Sequence, residues 1–295
     1  MLRHVIYSLA PLALVLHSSF ALAVPTPQEP GWSVRQVASG FGQNFNGLAY
    51  DPVSTDLFVT DYNLETIFRV TLAGVKTPVY SATDIDYDEM AFDPIGRILY
   101  FGGVSQTTLR KVTEAGVFVE DVTVPTGYTG TAFAPDGNLY VNYWIPGALA
   151  RYNPGDDSFT TIAVTDCGME GLTFDPVGNA YAAGYGCGAI FKVTPGGVIS
   201  TVGSISGPIG ASYGDGSIFV TNTTGTIFRV APDGSGVTTF ADGHTACSGI
   251  HFASNGNLYV NDHGSGTLWE YSDVPIGVET LAWSKIKSLY RGATR

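Results

Sequence analysis

Positive charge is scarce in this sequence. Its 14 Lys and Arg stand against 26 Asp and Glu among 295 residues, a formal net charge of −12. Nucleic acids and anionic membranes are held by basic patches, so the composition argues against both as partners. Cysteine is scarce too: three residues with no C-x-x-C pair, which leaves no cysteine metal site. Nor is there an apolar run of the ~20 residues that a membrane helix needs. The stretch 5–15 comes nearest, but Ser8 and Pro11 interrupt it. With Arg3 and His4 before it and Ala21-Leu22-Ala23 after it, it reads as a secretory signal peptide over residues 1–23. The mature chain is therefore expected to be secreted, extracellular or periplasmic, with no membrane span.

The sequence is rich in glycine and aromatics, with 37 Gly, 16 Tyr and 16 Phe, and it repeats a phrase. Copies begin at Asn46-Gly47-Leu48-Ala49-Tyr50-Asp51-Pro52, Asp88-Glu89-Met90-Ala91-Phe92-Asp93-Pro94, Thr129-Gly130-Thr131-Ala132-Phe133, Glu170-Gly171-Leu172-Thr173-Phe174, Ile209-Gly210-Ala211-Ser212-Tyr213 and Ser248-Gly249-Ile250-His251-Phe252. Each is followed by a turn former, an aromatic strand, a loop and a strand ending in Arg or Lys plus Val or a near equivalent. Strand-only repeats about 40 residues long are propeller blades. The expectation is one all-β, six-bladed β-propeller over residues 32–272, preceded by a linker at 24–31. The turn aspartates, such as Asp51, Asp93 and Asp175, are read as Asx-turn residues. The sixth copy has only three strands, so the N-terminal strand at 32–38 is expected to complete the last blade and close the ring. Cys167 and Cys187 flank the first two strands of the fourth blade and are expected to pair in an oxidising compartment, leaving Cys247 as a buried small hydrophobe. Residues 273–295 read as a linker and short helix with Ala282, Ile286 and Leu289 on one face. Trp283-x-x-Ile286-Lys287-x-x-Tyr290-Arg291 also has the look of an export tag. A monomer is expected.

A propeller brings equivalent residues around one channel. The starts of the first strands give a ring of Asn46, Asp88, Thr129, Glu170, Ile209 and Ser248. Antiparallel pairing puts the ends of the second strands on the same face: Asp61, Gly103, Tyr143, Gly184, Asn222 and Asp262. Carboxylate and amide oxygens at Asn46, Asp88 and Glu170 suit a hard divalent cation, calcium or magnesium. Tyr62, Tyr87, Tyr128, Tyr143, Trp144 and Tyr185, with Asp61, suit a small or carbohydrate-like ligand or a protein partner. Asp262 and His263 are the candidate general-base residues. Asn222-Thr223-Thr224 is a formal glycosylation sequon.

Asn46-Gly47-Leu48-Ala49-Tyr50-Asp51-Pro52 followed by Leu57-Phe58-Val59-Thr60-Asp61, together with Glu170-Gly171-Leu172, resembles blades of NHL-repeat and gluconolactonase (senescence marker protein)-like propellers. That resemblance implies secreted binders or metal-dependent lactonases, with metal ligands of the Glu, Asn and Asp types that Asn46, Asp88 and Glu170 match in permuted order. Ile227-Phe228-Arg229-Val230-Ala231-Pro232-Asp233-Gly234 is similar to a phrase of streptogramin-lyase propellers. Two functions follow as expectations: a ligand or partner binder at the acidic, aromatic channel face, or a metal-dependent lactone hydrolase.

Overall fold

The computed structural model describes residues 23–273. The signal peptide and the C-terminal helix or tag expected above lie outside the described residues. Every regular element among the described residues is a strand, and the strands form six antiparallel sheets. Blade 1 is Leu48–Tyr50, Leu57–Asp61, Thr66–Val70 and Lys76–Ser81. Blades 2 to 5 repeat this order, opening at Glu89–Asp93, Tyr128–Phe133, Met169–Phe174 and Pro208–Gly214. Blade 6 has Cys247–Phe252, Leu258–Asp262 and Thr267–Asp273, and its fourth strand is Trp32–Ser39, paired antiparallel to Thr267–Asp273. The ring is thus closed by the N-terminal strand, as the three-strand sixth copy requires. The segment 24–31 is more than a linker: Thr26–Pro27 adds a fifth strand to blade 5 through Asp242 and Ala241.

One aromatic contact recurs at every blade interface. The fifth residue of each phrase packs on the aromatic residue of the second strand in the preceding blade. The pairs are Tyr50–Tyr259, Phe58–Phe92, Tyr100–Phe133, Tyr140–Phe174, Tyr181–Tyr213 and Phe219–Phe252, with ring centroids 5.0–6.2 Å apart. Such pairs contribute roughly 0.5–1.5 kcal/mol each beyond the area they bury. The closing pair, Tyr50–Tyr259 at 6.1 Å, falls within the range of the other five, so the ring closes without a gap.

The turns opposite the channel mouth are Asx turns. Asp51 accepts from the Val53 amide at 2.9 Å, and Asp93, Asp136 and Asp175 do the same for Ile95, Asn138 and Val177. Asp51 also receives both Arg97 Nη atoms, at 2.7 and 2.5 Å, which ties blade 1 to blade 2. Cys167 and Cys187 form a disulfide, and Cys247 is free and fully buried. Asn222 is buried, with Oδ1 accepting from the Thr224 and Thr226 amides, so the sequon asparagine is a turn cap.

Candidate functional site

The first strands set the site. All six ring residues, Asn46, Asp88, Thr129, Glu170, Ile209 and Ser248, line one cavity of about 350 Å³ at the channel mouth. Buried polar side chains one residue before the end of the second strands hold these positions from behind. Asn142 Nδ2 donates to the Glu170 carbonyl at 2.7 Å, Thr221 Oγ1 to that of Ser248 at 2.7 Å, and Asn261 Nδ2 to that of Asn46 at 3.1 Å. Each clamp crosses from one blade to the next. A ring residue is therefore placed by two blades at once.

Negative charge concentrates here. Asn46 Nδ2 donates to Asp88 Oδ1 at 2.7 Å, and Glu89 and His263 complete the polar wall. Burial raises Asp88, and nearby Asp86 adds to this against the Asn46 bond. Glu89 is pushed well up by burial and by the Asp88 and Glu170 charges. Burial, with Asp88 beside it, pushes Glu170 up to about 7. Among the described residues no Lys or Arg lines the cavity. His263 is lowered by burial, and its Nδ1 has no hydrogen-bond partner among the described residues.

The expected ligand-binding residues divide. Trp144 lines the mouth, 5.8 Å centroid to centroid from Tyr185. Tyr62 and Tyr185 are exposed, at 48% and 39%. Tyr87, Tyr128 and Tyr143 are instead buried between blades, so no ring of theirs is offered to a ligand. The Tyr87 hydroxyl bonds the backbone of Ala82, and that of Tyr128 the carbonyl of Thr108. These three assignments are corrected. The physical reason is packing between blades: Tyr87 stacks on Phe101, with ring centroids 5.3 Å apart, and Tyr128 is buried in the cluster that holds Leu109 and Val141.

Asp61 and Asp262 are corrected as well. Asp61 is fully buried, accepting from the Gly42 amide at 2.7 Å and the Leu64 amide at 3.1 Å. Asp262 accepts from the Thr245, Ala246 and Ser265 amides. Although burial opposes it, these amides and His244 hold Asp262 down to about 2. A carboxylate so fully satisfied is a turn cap and a poor base. Of the expected pair, His263 alone reaches the mouth. Glu89, the second residue of its phrase, also lines the cavity.

For a divalent cation, the oxygen donors and the absence of a basic neighbour suit the chemistry. Their placement is less complete: among the described residues no three His, Cys, Asp or Glu side chains converge to hold a metal ion. Asn46 also spends an N–H on the Asp88 oxygen that a cation would use.

Fold and mouth together define a six-bladed β-propeller with an acidic channel entrance. No family model matches the sequence, and no curated protein does. Solved structures match its fold. The PQQ-bound aldose sugar dehydrogenase of Streptomyces coelicolor is 19% identical, with a TM-score of 0.67 over 84% of this chain and 99% of that one. A gluconolactonase of Xanthomonas campestris is 13% identical, with a TM-score of 0.69 over 85% and 95%. The virginiamycin B lyase of Staphylococcus aureus, solved with quinupristin, is 15% identical, with a TM-score of 0.61 over 84% and 90%. The architecture is that of gluconolactonase-like and sugar-dehydrogenase-like propellers.

Proposed function

We propose that this protein binds a small, polar, carbohydrate-like molecule in the channel mouth. The observation that carries this reading is the single cavity of about 350 Å³ shared by all six strand starts, which suits a small molecule better than a flat partner surface. Carboxylates and Asn46 offer hydrogen bonds to hydroxyls, and Trp144 offers a flat wall. The sugar and sugar-lactone chemistry named for two of the fold neighbours fits this class. The Cys167–Cys187 disulfide supports action in an oxidising, exported setting. Trp144→Ala is expected to weaken ligand retention in equilibrium dialysis about tenfold with an unchanged circular dichroism spectrum. Equal retention would remove the aromatic wall from the site.

A second reading, a metal-dependent lactonase, is favoured by the uncompensated carboxylates. Asn46, Asp88 and Glu170 would hold calcium or magnesium, which supplies Lewis-acid polarisation of a lactone carbonyl. This chain's residues would orient the lactone against Trp144, and the imidazole of His263, which lines the mouth and is lowered by burial, would accept a proton. Under this reading calcium raises the melting temperature of the wild type over that in chelator, and Asp88→Ala removes the difference. A shift that persists in Asp88→Ala would place the metal elsewhere.

A further inference from the structure

At one layer of the channel five blades agree and one departs. The second residue of the phrase is Gly47, Gly130, Gly171, Gly210 and Gly249, but Glu89 in blade 2. Sterics enforce the glycines. A Cβ at Gly249 would lie 1.9 Å from the Asn46 carbonyl oxygen, one at Gly210 2.2 Å from that of Ser248, and one at Gly171 2.5 Å from the Ala211 amide nitrogen. In blade 2 the crowding from the cross-strand partner is absent. Glu89 pairs with Gly102, at the position that carries Thr60, Asn142, Thr221 and Asn261 in other blades, and a Cβ at Gly47, Gly210 or Gly249 would lie 2.7–2.8 Å from Thr60, Thr221 or Asn261. The side chain that blade 2 places at this layer is a carboxylate.

Glu89 stands between two spaces. It lines the mouth cavity and also a second cavity of about 240 Å³ along the channel. Thr131 lines that second cavity at 6% exposure, and its hydroxyl has no partner among the described residues. A buried hydroxyl left unpaired is costly, which points to something that occupies the channel and bonds it. Among the described residues neither cavity has a Lys or Arg in its wall, while Asp88, Glu89 and Glu170 face the upper one beside Trp144. Carboxylates next to an aromatic face, with no cation of the protein's own, match an ammonium group: it donates to the oxygens and is attracted to the ring. A neutral polyol could form hydrogen bonds here but brings no positive charge to the carboxyl groups, as an ammonium group does.

We propose that the mouth selects an amine-bearing small molecule, with Glu89 receiving its ammonium group and Thr131 anchoring it deeper in the channel. This rests on the mouth being a small-molecule site. The test is calorimetric titration in chelator with matched probes, glucosamine against glucose and putrescine against 1,4-butanediol. In the wild type the amine of at least one pair is expected to bind ten times more tightly or better than its neutral partner. In Glu89→Gln that ratio collapses toward one, and Thr131→Val weakens the amine severalfold. Should Glu89→Gln fail to fold, Glu89→Gly restores the residue of the other five blades and reads the same ratio. Equal affinities within both pairs, or a ratio that survives the loss of Glu89, overturn amine selection but leave the small-molecule site standing. A folded wild type that binds none of the four probes overturns both.

Discussion

A chain lacking residues 32–39 is expected to lose the single cooperative melting transition of the intact protein. Four losses combine at the same place. Trp32–Ser39 is the only partner of the outer edge of Thr267–Asp273 among the described residues, so that strand would expose a row of unpaired amides and carbonyls. Trp32 packs edge-on against Phe219 and Phe240, with centroids 6.5 and 5.1 Å apart, so blade 5 loses cover as well. Val37 and Ala38 leave the cluster that holds Phe41, Leu48 and Leu268. Buried Glu270, which pairs with Arg35, is left without its cation. Losses of buried contacts on this scale exceed the roughly 4–5 kcal/mol that marks the most damaging single substitutions. Calorimetry checks it: a broadened or absent transition is expected, and an unchanged sharp one at the same temperature would refute closure by this strand.

The second large effect concerns Asp262. Asp262→Asn is expected to cost about 2 kcal/mol at neutral pH, read as a lowered midpoint in chemical denaturation. The carboxylate's pKa is held at about 2 against an ordinary 3.8. A depressed acid contributes stability that is complete above its unfolded pKa and is lost as pH falls through the folded one. The window is therefore from about pH 4 down to about pH 2. Wild type should lose this increment across the window, and the variant should show a flatter profile there. Loss of ligand handling with full stability retained would instead return Asp262 to the chemistry.

Much of this was legible because a propeller turns repeat spacing into geometry. Aligning the six phrases placed Asn46, Asp88, Thr129, Glu170, Ile209 and Ser248 around one point, and all six line one cavity. The same alignment held a signal that went unused. The residue before each ring position is Phe45, Tyr87, Tyr128, Met169, Pro208 or Cys247, and all are buried. Six apolar or aromatic residues at one register mark a core position, which sends Tyr87 and Tyr128 inward. Asp61, Asn222 and Asp262 likewise share a register just before the turn joining the second and third strands, where an Asx side chain caps the turn. Tyr143 was harder to read, since its direction depends on how blades 2 and 3 pack. Glu89 was visible as the exception among the five glycines. Its reach into two cavities needed the three-dimensional channel.

Ligand binding at the channel mouth is the property on which function turns. The most direct measurement is the ligand-induced melting shift of the wild type beside Trp144→Ala, using glucose, gluconolactone and glucosamine at millimolar concentration. A ligand at about 100 times its Kd adds ~2.7 kcal/mol, or about 5 °C for a domain of this size. Such a shift is expected for at least one of the three in the wild type, with its near loss in Trp144→Ala. An equal shift in both proteins would place the site away from the mouth, and no shift in the wild type with any of the three would contradict the assignment.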